Sequence, residues 1–192
     1  MATIEKGIEV NAPLRTCYNQ WSQFESLPRI MKHVLRVTRI DDRHYHWKID
    51  VGGKVKEWQA EVTLMEPDHA IGWRSVAGAD LSGRVNFHAQ DTEWTEISMR
   101  LVYLPENAAE YAAEWLGRLD RAVEEVLQDF KEFVERRKVE TGAWRGEIHG
   151  DRVEYREVAA APPGPVPLGQ EFEAAEPDPG RLQGYRPEED QA

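Results

Sequence analysis

Between Val34 and Tyr103 apolar side chains return at nearly every second residue, and from about Asn107 to Val139 they return at every third or fourth. That change of period constrains the fold more than anything else in the chain. In the first stretch Tyr45, Trp47, Ile49 and Val51 alternate with His44, His46, Lys48 and Asp50. Trp58, Ala60, Val62 and Leu64 alternate with Glu57, Gln59, Glu61 and Thr63. Ile71 with Trp73, then Val85, Phe87 and Ala89, then Thr95, Ile97, Met99, Leu101 and Tyr103 continue the pattern. Turn formers separate the runs: Asp41-Asp42, Gly52-Gly53, Pro67-Asp68, Gly78-Ala79-Asp80 and Asp91-Thr92. Short connections between half-apolar strands predict an antiparallel meander with one buried face.

The second stretch predicts a helix. Asn107 and Glu110 have capping-box spacing. Trp115, Leu119, Ala122, Val123, Val126, Leu127, Phe130, Phe133 and Val134 make one stripe. Such a helix has roughly 30 residues and a length of about 45 Å, and only the sheet is long enough to cover its stripe. Ahead of the meander, Ile4, Ile8 and Val10 mark a strand over residues 3–11. Leu14, Cys17, Tyr18, Trp21 and Phe24 mark a helix opened by Pro13. Ser26-Leu27-Pro28 interrupts it, and a second short helix is expected to about Lys32. The whole is an α+β arrangement: about seven antiparallel strands in a curved sheet wrapped on a long C-terminal helix, with two short helices after strand 1.

Composition changes at Thr141-Gly142. Residues 142–192 hold seven of the 11 prolines and seven of the 14 glycines, and a net charge of −6 out of −11 for the chain. From Ala159 onward, sizeable apolar residues are too sparse to offset the entropy of ordering. The expected organisation is therefore a domain over 1–141, a short hairpin over 142–158 turning at His149-Gly150-Asp151, and a disordered acidic segment over 159–192. The overall acidity, with no block of basic residues, argues against nucleic acid and anionic membrane surfaces. One cysteine, Cys17, leaves no internal disulfide and no cysteine-built zinc site. The N-terminal MATIEKGIEV lacks an apolar signal core, and the prolines at 162, 163, 165 and 167 break the longest uncharged run. A cytoplasmic protein with no integral membrane segment is the expectation.

With the element order in place, the sequence resembles the START-like (SRPBCC) superfamily, in its polyketide cyclase/dehydrase or coenzyme-Q-binding branch. The carriers of the resemblance, over about residues 3–140, are IEVNAP, the Tyr18–Trp21 helix, FESLPRIMKHVLRV, HWKIDVGGKVKEWQAEV, IGWRS, GRVNFHA, LVYLP and FKEFVE. The resemblance implies a helix-grip fold with an apolar cavity between sheet and long helix. It also implies functions from lipid and quinone binding to polyketide ring closure.

Inward-facing positions give the candidate ligand-binding set Trp47, Trp58, Trp73, Ser75, Phe87, Met99, Tyr103, Trp115 and Leu119, with plain core packing as the alternative role for each. Arg74 is a polar candidate as well, although alternation places it on the wet face beside a glutamate. His44 and His46 share a face and His88 is a third histidine, but their alternation with Tyr45 and Trp47 makes them solvent-facing rather than metal ligands. Tyr103, Tyr111 and Asp50 have acid–base chemistry without any pattern that pairs them. Cys17 falls on a buried stripe and reads as a core residue. Glu124, Glu125, Glu132 and Glu135 read as solvated helix surface. The lack of a convergent acid–base pair favours binding an apolar lipid, quinone or polyketide-like molecule, with no cofactor or metal, over a cyclase/dehydratase enzyme. A protein-interaction role for the acidic segment is the third reading.

Overall fold

The computed structural model describes residues 1–105 and 113–155. The expected capping pair at Asn107 and Glu110, Tyr111, and the segment 159–192 lie outside these residues. β1 (Ala2–Val10) leads into α1 (Leu14–Trp21) and a 3-10 turn (Phe24–Arg29). The meander follows as β2 (Val34–Arg39), β3 (His44–Val51), β4 (Lys54–Glu66), β5 (Ala70–Gly78), β6 (Asp80–Ala89) and β7 (Thr95–Leu104). The long helix α2 (Ala113–Arg137) and a small hairpin, β8 (Glu147–His149) and β9 (Arg152–Glu154), complete the described chain. The second helix, expected to follow Ser26-Leu27-Pro28 as far as about Lys32, is instead a 3-10 turn that starts at Phe24, takes in Pro28 and ends at Arg29.

The strands form one open sheet in the order β1-β7-β6-β5-β4-β3-β2, every pair antiparallel. Among the described residues two short strands add to these seven: β8 joins the edge of β4 at Leu64 and Met65, and β9 pairs with β8. β3 pairs with β4 only as far as Glu61, so β8 continues along an edge that β3 leaves open. The register slips twice between β4 and β5, at Gln59/Ala60 and at Val62/Leu64. Such bulges add twist and bend to a sheet. Trp115, Leu119, Ala122, Val123, Leu127, Phe130 and Val134 are the buried face of α2. Among the described residues no helix is long and apolar enough to cross a membrane.

α1 is covered on two sides. Its apolar stripe meets the sheet, where Tyr18 and Trp21 pack edge-on to Phe87 at 5.5 and 6.0 Å. Its polar residues Thr16, Asn19 and Gln20 are also buried, and the chain that follows α2 satisfies them. Asn19 Nδ2 and Thr16 Oγ1 donate to the Glu140 carboxylate at 2.8 and 3.1 Å, and the Thr141 N–H donates to Gln20 at 2.9 Å. Arg145 reaches from the same segment to Asp68 and Asn19. Burial of Thr16, Asn19 and Gln20 is tolerated because each of the three finds a partner.

Candidate functional site

The apolar interior is divided into two clusters. One gathers α1, the 3-10 turn and the C-terminal half of α2 around Tyr18, Trp21, Phe24, Phe87, Leu127 and Phe130. The other gathers the N-terminal half of α2 around Trp58, Leu101, Tyr103, Trp115, Leu119 and Val123. Trp47, Ile49, Trp73 and Met99 pack against both. Between the clusters lies a cavity of about 100 Å³. Its floor is the concave face of the sheet: Trp47, Ile49 and Val51 of β3, Trp58, Ala60 and Val62 of β4, Ile71 and Trp73 of β5, Leu81 of β6, and Met99 and Leu101 of β7. Leu119, Ala122, Val123 and Val126 of α2 form the roof, and Trp21, Phe24, Leu27, Met31, His33 and Val34 close one end.

Of the nine residues expected to meet a ligand, Trp47, Trp58, Trp73, Met99 and Leu119 border this cavity. Four do not, each for a structural reason. Phe87 faces inward but is used up against Tyr18 and Trp21. Tyr103 and Trp115 pack on each other, with ring centroids 6.5 Å apart, in the cluster beyond the cavity. Ser75 shares the face of its partner Ala60, but its hydroxyl donates to Ala79 O at 2.8 Å and its N–H to Ser82 Oγ at 3.1 Å. It ties the β5–β6 turn together. The aliphatic lining at Ile49, Val51, Ala60 and Val62 carried the same inward alternation as the tryptophans. A search for large polarisable groups passes over it.

The polar candidates are occupied elsewhere. Arg74 lies on the outer face and pairs with buried Glu61, which Arg43 also grips at 2.7 Å. His44 bonds Asp41 at 2.8 Å, His46 stands 3.6 Å from Glu57, and His88 is exposed. No cluster of three metal-ligating side chains forms among the described residues. The Asp50 carboxylate accepts the Gly53 N–H at 2.7 Å and holds the β3–β4 turn. Cys17 is buried, and desolvation pushes its thiol up to about 12.

His33 carried no sequence signal, yet among the described residues it is the one titratable side chain on the cavity wall. Its Nδ1 lies 3.0 Å from the Asp50 carbonyl oxygen, and its Nε2 lies 2.7 Å from Glu125 of α2. Both partners are hydrogen-bond acceptors. Lys32 adds an ion pair to Glu125 at 2.9 Å and a backbone N–H bond to Asp129 at 3.0 Å. Glu125, expected as mere solvated surface, therefore clips the entry of β2 to α2. Hydrogen bonds from His33 first and Lys32 second hold its carboxyl at about 2, against an ordinary 4.5.

A depressed carboxylate stabilises the fold above its unfolded value, and that contribution is lost as pH falls through the folded value. The wild-type chain should therefore exceed Glu125→Gln in urea midpoint above about pH 5, and the gap should close towards pH 2. A gap that stays constant over this range would contradict the clip.

Comparison with known proteins places these features in context. The sequence profile described as polyketide cyclase / dehydrase and lipid transport matches residues 10–168. A 17.2 kDa protein from the melC2–rnhH intergenic region of Streptomyces lincolnensis is 38% identical over 149 residues, which span 77% of this chain and 99% of that protein. The fold recurs in the Zhui aromatase/cyclase of Streptomyces sp. R1128, with a TM-score of 0.62, 17% identity, and coverage of 71% of this chain and 94% of that one. It recurs too in a START superfamily protein of Mycobacterium smegmatis, with a TM-score of 0.53, 17% identity, and coverage of 70% and 95%.

Proposed function

The chain belongs to the polyketide cyclase/dehydrase and lipid transport family, and on that premise we propose that it binds an apolar small molecule in the cavity between sheet and α2. The observation that carries this reading is the wall itself: among the described residues bordering the cavity, all but His33 are aliphatic, aromatic or methionine. Water gains little in such a space, whereas an apolar guest gains by leaving solvent.

A volume of about 100 Å³ is below the ~300–1,000 Å³ of sites that enclose a whole drug-sized ligand. The guest is therefore a ring-sized group, or the ring or chain end of a larger lipid, quinone or polyketide-like compound. Met31 and Met99 lie on the wall, and their unbranched thioethers yield more readily than the tryptophans beside them.

A cyclase/dehydratase acting in the same cavity is the second reading, favoured by the His33–Glu125 pair at its edge. Catalysis there requires a ring nitrogen to exchange its present acceptor for the substrate, so binding is preferred. Native mass spectrometry of freshly purified full-length protein separates the two. We expect a reproducible non-covalent adduct that extracts into organic solvent. A chain that carries no adduct but turns over a model polyketone, with loss of rate in His33→Ala, would replace binding by catalysis.

A further inference from the structure

Trp73 of β5, on the cavity wall, stands directly across from Gly83 of β6. Strand side chains ordinarily rise roughly perpendicular to the sheet. The Trp73 indole instead reaches across β6, where its Nε1–H donates to Leu81 O at 3.2 Å. Its six-membered ring takes the place where a side chain at 83 would begin. A Cβ on Gly83 would lie 2.6 Å from Cζ2 and 2.9 Å from Cη2 of that ring, and 2.8 Å from the Arg100 carbonyl oxygen. Relaxed carbon–carbon contacts are ~3.5–4.0 Å. Backbone conformation does not call for glycine here: among the described residues the glycines with positive φ are Gly52, Gly53, Gly78 and Gly150. Glycine weakens a strand interior and marks a place of close approach, and what approaches Gly83 is the indole. Gly83 alternates along β6 with buried Leu81 and Val85, and Leu81 and its own cross-strand neighbour Leu101 border the cavity. A side chain at 83 therefore projects to the cavity side of the sheet and would carry the indole with it.

Resting on the reading of the cavity as a ligand site, we propose that Gly83 determines the size of guest it accepts, acting through the position of Trp73. With glycine at 83 the indole is laid against β6, and the cavity keeps its depth over β5 and β6. A larger residue lifts the ring off the sheet into the space that a guest needs. In a close-packed interior that displacement has nowhere else to go. Gly83 is thus a positioning residue, and the indole is the part of the wall that it sets.

A double-mutant cycle on the full-length chain tests this, with methylenecyclohexane as an apolar ring probe and calorimetry as the readout. Gly83→Ala is expected to weaken binding roughly tenfold while Trp73 is present. In a Trp73→Phe chain, which lacks the ring atoms that a Cβ meets, the same replacement should change affinity by no more than about twofold. Trp73→Phe alone keeps the glycine and opens the space above it, so it should favour naphthalene over methylenecyclohexane by roughly tenfold more than wild type does. Equal losses from Gly83→Ala in both backgrounds would trace the effect to the Arg100 carbonyl and overturn the proposal, as would no loss in either. If Gly83→Ala does not fold, the naphthalene comparison decides, and an unchanged preference there overturns the proposal while leaving the cavity as a binding site. If methylenecyclohexane does not bind wild type, the ligand-site reading fails and the proposal fails with it.

Discussion

Phe130→Ala is expected to lower the unfolding free energy by about 3–5 kcal/mol, the largest single-site loss we anticipate. Phe130 is completely buried on the inner face of α2, with its ring 4.6 Å from Trp21. Trp21 passes the contact on to Phe87 and so to the sheet. Truncating the ring removes the hydrophobic transfer term and leaves a hole where α1, α2 and the sheet converge. Rigid aromatic neighbours collapse poorly into such a hole, which puts the cost towards the upper end of its range. For a chain of this size the midpoint of thermal unfolding should fall by roughly 10 °C. A loss below about 1 kcal/mol by urea titration would mean that the α1–α2 cluster does not hold the fold together.

Ala122→Leu should do the opposite at the other end of the helix. Ala122 is buried and borders the cavity from the α2 side, so three added carbons enter existing space rather than displacing packed atoms. Filling it should raise stability by about 1 kcal/mol. A guest must then compete with a buried isobutyl group worth about 1.5–3 kcal/mol, so affinity for methylenecyclohexane should fall by roughly 10- to 100-fold. Undiminished affinity in a folded Ala122→Leu chain, measured by calorimetry, would place the ligand somewhere other than this cavity.

These two sites also show what was legible in the sequence. The stripe containing Ala122 and Phe130, and the alternation that set Trp47, Trp58 and Trp73 inward, required nothing beyond a period of two and a period of 3.6. Which inward residue meets a ligand is a different matter. Phe87 and Met99 both point inward from neighbouring strands and read alike, but only Met99 escapes being covered by α1. That depends on where a helix docks, a long-range fact with no local pattern. The loss of Ser75 to the β5–β6 turn rests on the short reach to Ala79 and Ser82. His33 was invisible because its two partners, Asp50 and Glu125, lie 17 and 92 residues away.

The division of the interior into two clusters joined by Trp47, Ile49, Trp73 and Met99 bears on how such a chain can diverge. The cluster around Trp21, Phe87 and Phe130 carries the docking of both helices and contributes little more than one end wall to the cavity. Substitutions at Ala60, Ala122 or Val123 reshape the space without touching that cluster. A lineage can therefore change what the cavity accepts by small aliphatic replacements while its thermal stability stays nearly constant. Trp47 and Trp73, hard to replace because they serve both halves, set the outer limits within which that drift takes place.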